Sequence, residues 1–146
     1  MINRLQYSKQ GQDLTKQFES CRLTAYPDVK GVMTIGWGHV GREVKAGYTI
    51  TQVQADAQLV VDYQNAVTAV NQLVTFQLNQ EEFDAIVDLV FNIGVGAFGT
   101  STMRALLNQG DIAGAALEFA RWDHASGQVV AGLLRRRLAE RNEFTS

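Results

Sequence analysis

The chain has one cysteine, one proline and no long apolar run, and each scarcity excludes something. A lone Cys21 rules out an internal disulfide and any cysteine-rich zinc site. No stretch approaches the ~20 apolar residues of a membrane-spanning helix, so stable membrane insertion is not expected. The polar segment from Met1 to Gln12 lacks the basic-then-apolar run of a signal peptide, which points to synthesis without export by the standard secretory route. Positive charge is not in excess either. With 13 Lys+Arg against 15 Asp+Glu the formal charge is −2, which argues against a nucleic-acid partner. What remains is a chain of 146 residues, 46% hydrophobic, sized for one domain. At this length roughly 68–70% of the unfolded surface can be buried, so a core forms without disulfides or metals.

The small net charge conceals a division. Residues 1–50 carry +3, residues 51–134 carry −7, and residues 135–146 carry +2. If Arg22, Lys30, Arg42 and Arg135 to Arg137 converge, a nearly neutral protein presents a positive face to an anionic surface.

Glycine is unevenly spread too: Gly31, Gly36, Gly38, Gly41 and Gly47 follow Pro27 within twenty residues. Val32 to Ile35, short and rich in β-branched residues between glycines, reads as a strand of a small hairpin. Around it the pattern is helical. Ser8 can cap a helix carrying Leu14, Phe18 and Cys21. Thr51-x-x-Gln54 opens a long helix with Val53, Ala57, Val60, Val67, Val70 and Val74 on one stripe. Asn79-x-x-Glu82 repeats the start signal, and Gly94 supplies a stop. Further helices are expected near Ser101–Asn108, Ile112–Trp122 and Gly132–Asn142, with Gly110 and Ser126-Gly127 as punctuation. The expected fold is α+β and mostly helical. It comprises a small β-hairpin lobe over about 8–50, a connecting helix over about 51–74 and a helical lobe over about 79–146, within one domain.

Glu19 falls at the end of the first helix, where the helix dipole disfavours a second negative charge. Asp28 lies in Tyr26-Pro27-Asp28-Val29-Lys30-Gly31, where turn N–H groups can stabilise a carboxylate. Two carboxyls in unlike settings can divide acid and base roles. If Val29-Lys30-Gly31 is a three-residue loop with Gly31 left-handed, Asp28 pairs with Val32. Thr34 is then its diagonal neighbour on the same face, roughly 7–8 Å away, with room for a water between them. Gly36 and Gly38 would continue that face without side chains, open to a flat sugar ring. The chemistry suggested is attack of an activated water on an acetal. Singly, these residues also read as ordinary surface, turn and strand positions.

Glu19-x8-Asp28-x5-Thr34, within FESCRLTAYPDVKGVMTIGWGH, resembles the catalytic segment of the phage-type lysozymes, glycoside hydrolase family 24, the endolysins of tailed bacteriophages. The resemblance continues through EEFDAIVDLVFNIGVGAFGTST, LLNQGD and FARWDHASGQVVAGLLRRRLAE. It implies a lysozyme-like two-lobed fold and inverting hydrolysis of the β-1,4 bond between N-acetylmuramic acid and N-acetylglucosamine in peptidoglycan. Glu19 would be the general acid, Asp28 the carboxylate positioning water, and Thr34 a hydroxyl that helps hold it. Val40, Phe91, Asn92 and Ser101 match places of saccharide contact, while Ala116 stands where the family has an asparagine. Arg136 or Arg137 is expected near Glu19. The resemblance further implies a monomer without metal or cofactor, made in the host cytoplasm and reaching the wall through a phage holin.

His39 is expected to be structural, His124 superficial, Cys21 a small hydrophobe, Trp122 a core residue and Trp37 packed beneath the sheet. A lytic transglycosylase would need Glu19 but not the Asp28–Thr34 pair. A catalytically silent wall-binding protein would need none of them.

Overall fold

A computed structural model describes residues 1–125 and 127–146. Along the chain lie α1 (Lys9–Lys16), β1 (Arg22–Pro27), β2 (Met33–Gly36), α2 (Gln52–Leu73), α3 (Gln80–Ile93), α4 (Val95–Gly99), α5 (Thr102–Asn108) and α6 (Ile112–Glu118). A 3₁₀ turn at Phe119–Trp122 then leads to β3 (His124–Ala125), β4 (Gln128–Val129) and α7 (Ala131–Phe144). The protein is thus mostly helical, with two antiparallel two-stranded sheets among the described residues. Ser126 lies outside the described residues; Gly127 beside it has a φ of +77°.

Local signals start the helices where the sequence places them. Asn79 Oδ1 accepts from Glu82 N at 2.7 Å, and Glu82 Oε2 accepts from Asn79 N at 2.9 Å, a reciprocal box that satisfies two otherwise orphaned donors. Thr51 and Gln54 make the same exchange at 3.2 and 2.9 Å ahead of α2. Ser101 caps α5 and Asp111 caps α6 through Arg104 N and Gly114 N. Gly94 ends α3 with a φ of +96°, and α4 follows at once, a short helix that the sequence does not announce.

The chain divides into two compact units. One is Thr15–Gln64; the other joins Met1–Leu14 to Asn65–Ser146. This differs from an 8–50 lobe and a separate connecting helix, because the start of α1 is tied to α3. Ser8 N donates to Asp84 Oδ1 at 3.1 Å, and the Ser8 hydroxyl bonds the other oxygen of the same carboxylate. Gly11 can bear no side chain there: a Cβ would lie 2.5 Å from the Tyr7 ring and 2.8 Å from Asp84 Cγ. Burial holds Asp84's carboxyl above the ordinary value despite those hydrogen bonds.

The helical unit buries Phe83, Ile86, Leu89, Phe98, Met103, Leu107, Phe119 and Phe144 completely. Each contributes roughly 1.5–3 kcal/mol by leaving water, and Phe119 meets Phe144 edge-on at 5.3 Å. The unit of Thr15–Gln64 has a smaller core of Thr34, Ile35, Val44, Ala55, Leu59 and Tyr63.

Two expectations about burial fail. On α2 the buried face is Ala55, Leu59, Tyr63, Ala66, Val67 and Val70, with Val74 buried just beyond its end, whereas Val53 is 78% exposed and Val60 is also exposed. The first half of this helix has apolar residues on two faces, and the larger Leu59 and Tyr63 decide which turns inward. Trp122 is half-buried rather than central, because α6 gives way to 3₁₀ at Phe119 and carries Trp122 out of the amphipathic register.

Candidate active site

The unit of Thr15–Gln64 holds Glu19, Asp28 and Thr34. Gly31 has a φ of +80°, and Asp28 N donates to Val32 O at 2.9 Å, closing the three-residue loop with Asp28 opposite Val32. Beyond it Pro27 pairs with Met33 and Tyr26 with Thr34, so Thr34 is the diagonal neighbour of Asp28 that the loop length requires. The Asp28 carboxylate turns into the loop, where Oδ1 accepts from Lys30 N at 2.8 Å and Val32 N at 2.9 Å. Two backbone N–H groups thus fix the orientation of the carboxylate. Thr34 is buried, and its hydroxyl donates to Val32 O at 2.9 Å. Its lone pairs remain for a donor.

Glu19 lies just beyond α1, with Glu19 N donating to Thr15 O at 3.1 Å, and is half-buried. Phe18 before it is half-buried too. A Cβ at Gly38 would stand 3.4 Å from Glu19 Oε2, so the glycine backbone comes close to the carboxylate. That proximity arises from a turn. Ile35 N donates to His39 O at 2.9 Å and His39 N to Ile35 O at 2.8 Å, closing a second tight loop over Gly36-Trp37-Gly38. Gly36 and Gly38, at φ of +62° and +92°, therefore bend the chain instead of extending a flat sugar platform. Gly36 is buried against Ile50 and Ala55. Paired glycines around one residue were the sequence signal for this bend.

The bend also places Trp37. Its Nε1 donates to Asp56 Oδ1 at 2.7 Å, and Lys16 Nζ sits 5.3 Å from its ring centroid, so Trp37 is tied to α2. The Trp37 N–H holds Asp56's carboxyl below its usual value. His39, expected to be structural, is held through both ring nitrogens. Nδ1 lies 2.9 Å from both oxygens of Asp62, and Nε2 lies 2.7 Å from Glu43 Oε1. Burial works against its charge and is the strongest single influence. Hydrogen bonds and attraction from Glu43 and Asp62 together overcome it and hold the imidazole above its ordinary value. Cys21 is half-buried beside Gln52, with no histidine partner. Val40 is exposed.

The helical unit carries the other candidates. Phe91 and Asn92 lie exposed at the end of α3. Ser101 spends its hydroxyl on Phe98 O at 2.7 Å and on capping α5, yet it lines a cavity of about 530 Å³ with Trp122, Glu118 and Arg121. Arg136 and Arg137 are buried, which corrects the expectation that the arginine run forms part of a positive face. Arg136 makes a bidentate pair with Asp88 at 3.0 and 2.9 Å, and Arg137 Nη2 donates to Glu140 Oε1 at 2.9 Å and Asn92 Oδ1 at 2.8 Å. A run of three arginines reads as a solvated face because its acidic partner Asp88, on α3, is far away in sequence. Only Arg22, Lys30, Arg42 and Arg135 of the basic set are exposed. Burial pushes Glu140's carboxyl well above its usual range, with Asp88 adding to the effect and both arginines opposing it. Among the described residues no group of three or more His, Cys, Asp or Glu side chains is placed to share a metal ion.

The chain matches the family model described as phage lysozyme over residues 16–140. It is 41% identical to an endolysin of Acyrthosiphon pisum secondary endosymbiont phage 1, covering 95% of this chain and 97% of that protein. It is 40% identical to an endolysin of Bacillus phage PZA, covering 97% of this chain. There it spans only 56% of the relative's length. A crystal structure of a P22 lysozyme mutant superposes with a TM-score of 0.91 at 39% identity, covering 98% of this chain and all of the other.

Proposed function

Since the chain belongs to the phage lysozyme family, we propose that it is an endolysin that hydrolyses, with inversion, the β-1,4 bond between N-acetylmuramic acid and N-acetylglucosamine in peptidoglycan. The observation that carries this reading is the hydrogen bonding of Asp28 and Thr34. Thr34 gives its only proton to Val32 O, and Asp28 binds backbone N–H groups through Oδ1. Both groups can therefore only accept from a water, through Thr34 Oγ1 and Asp28 Oδ2. A water that donates both protons turns its lone pair outward, toward an anomeric carbon.

In this mechanism Glu19 gives its proton to the glycosidic oxygen as the C–O bond breaks. The water's oxygen bonds to the anomeric carbon from the opposite side, and its proton passes to Asp28. Inversion needs carboxyls about 6.5–9.5 Å apart, so that the water fits between acid and base. Val40, Phe91, Asn92 and Ser101 are assigned to saccharide contact, and Arg136 or Arg137 to the surroundings of Glu19, all on the family resemblance. The protein acts as a monomer without metal or cofactor. It is synthesised in the host cytoplasm and released to the wall by a holin. No helix among the described residues is long and apolar enough to cross a membrane.

The test is digestion of purified peptidoglycan followed by analysis of the new ends. Hydrolysis leaves reducing muramic acid of inverted configuration. A 1,6-anhydromuramic product would instead make the enzyme a lytic transglycosylase, for which the Asp28–Thr34 pair has no use. Glu19→Gln removes the proton donor and is expected to abolish lysis of outer-membrane-permeabilised cells with an unchanged circular dichroism spectrum. Normal lysis by that variant would remove Glu19 from the role of acid.

A further inference from the structure

Arg137 is 0% exposed, an unusual position for a guanidinium. Among the described residues only its Nη2 finds acceptors, Glu140 Oε1 at 2.9 Å and Asn92 Oδ1 at 2.8 Å. Its Nε and Nη1, and Glu140 Oε2, are buried without a hydrogen-bond partner among those residues. Such an arrangement is a poor way to stabilise a fold, since buried donors left unpaired are costly and apolar packing of the same volume would serve at least as well. What it does accomplish is chemical. Arginine donates and never accepts, so the atom of Asn92 that faces it must be the amide oxygen. The amide cannot flip without setting donor against donor. Asn92 is exposed, and its Nδ2, carrying two N–H groups, makes no hydrogen bond to the described residues.

We infer that Arg137, itself oriented by Glu140, is a positioning residue that locks Asn92 as an outward-facing double donor, and that this donor pair recognises the acetamido carbonyl oxygen of a substrate sugar. A carbonyl is the strongest neutral acceptor that an N-acetylated glycan offers, and sugar hydroxyls are weaker. The assignment rests on the endolysin reading for its substrate. It adds the polarity of the contact, the group contacted, and the buried pair behind it.

Asn92→Asp separates this from a merely structural role. A carboxylate keeps an oxygen on Arg137 and strengthens that bond, but it replaces the outward donors by an acceptor. On soluble N-acetylated glycan strands freed of peptides, KM is expected to rise about five- to tenfold, the worth of one hydrogen bond, with kcat within about threefold and thermal stability undiminished. Arg137→Met should raise KM by a similar factor, Arg137→Lys should restore most of it, and Asn92→Asp combined with Arg137→Met should raise it no further. Should Arg137→Met fail to fold, Arg137→Lys and Asn92→Asp carry the test. On strands partly stripped of N-acetyl groups, wild type and Asn92→Asp should converge. An unchanged KM for Asn92→Asp overturns the donor assignment. Arginine variants that lose stability while keeping wild-type KM overturn the positioning role. A KM ratio that is the same on both substrates overturns the acetamido assignment. Glu19→Gln reports separately on the parent reading: if that variant still hydrolyses the strands, the acid has been misassigned, whereas a dead Glu19→Gln beside an indifferent Asn92→Asp sinks only the present inference.

Discussion

The two units handle charge in opposite ways. In Thr15–Gln64, Asp28 is held by the backbone of a three-residue loop and Glu19 by a turn after a short helix, both partly open to solvent. In the helical unit, Asp88, Arg136, Arg137 and Glu140 are withdrawn from water and ion-paired with one another. A carboxylate fixed by backbone N–H groups keeps an oxygen for chemistry and needs no counter-charge beside it. Side-chain ion pairs in an interior consume the reactivity of both partners, and they are vulnerable because removing one member strands the other. The two sets of carboxylates thus differ in what holds them more than in residue type.

The sharpest way to break the comparison is to remove one member of each kind of pair. Arg136→Met strands Asp88 and should cost about 3–5 kcal/mol in urea denaturation. Lys16→Met, removing the partly exposed partner of Asp56, should cost less than about 1 kcal/mol. Equal losses would erase the distinction. Next in size is Asp28→Asn, expected to lower kcat by about 10²–10³ while moving the melting temperature by no more than about 2 °C. A large melting shift would mean that the loop carboxylate is structural after all.

A smaller effect concerns His39, the one place where Thr15–Gln64 builds a charge cluster of its own. Its folded-state pKa is raised above the unfolded value of about 6.5. The stabilisation is therefore complete below pH ~6.5 and disappears as pH rises through the folded value. His39→Gln should flatten this part of the stability profile, and an unaltered slope would remove His39 as its source. The smallest expected change is Gly31→Ala, where the φ of +80° disfavours a side chain although nothing lies within 4 Å. It should cost roughly 1 kcal/mol, and an unaffected hairpin would show that the loop relaxes.

These contrasts also mark what could be read from the sequence. Helix starts at Thr51, Asn79, Ser101 and Asp111 involve residues three apart, so the code is local and legible. The Asp28–Thr34 register was legible for the same reason, since loop length and Gly31 determine the pairing. The inward face of α2 was not, because apolar residues occur on two of its faces and only tertiary packing chooses. Burial of Arg136 and Arg137 was equally hidden, since nothing within the arginine run points to Asp88 on another helix. The position of Gly38 against Glu19 required the second loop, which a strand pattern disguises.

Glu19, Asp28 and Thr34 all fall in one uninterrupted stretch of a single unit, whereas Phe91, Asn92 and Ser101 belong to the other. On the proposed roles the reacting groups are inherited together, with Val40, apart from the other three sugar contacts. A genetic exchange with a breakpoint beyond Thr34 would pass on the three proposed catalytic groups intact, and the helical portion received with them would bring its own proposed sugar contacts. In lineages that trade gene segments, such a chain would divide into a cutting cassette and a specificity cassette.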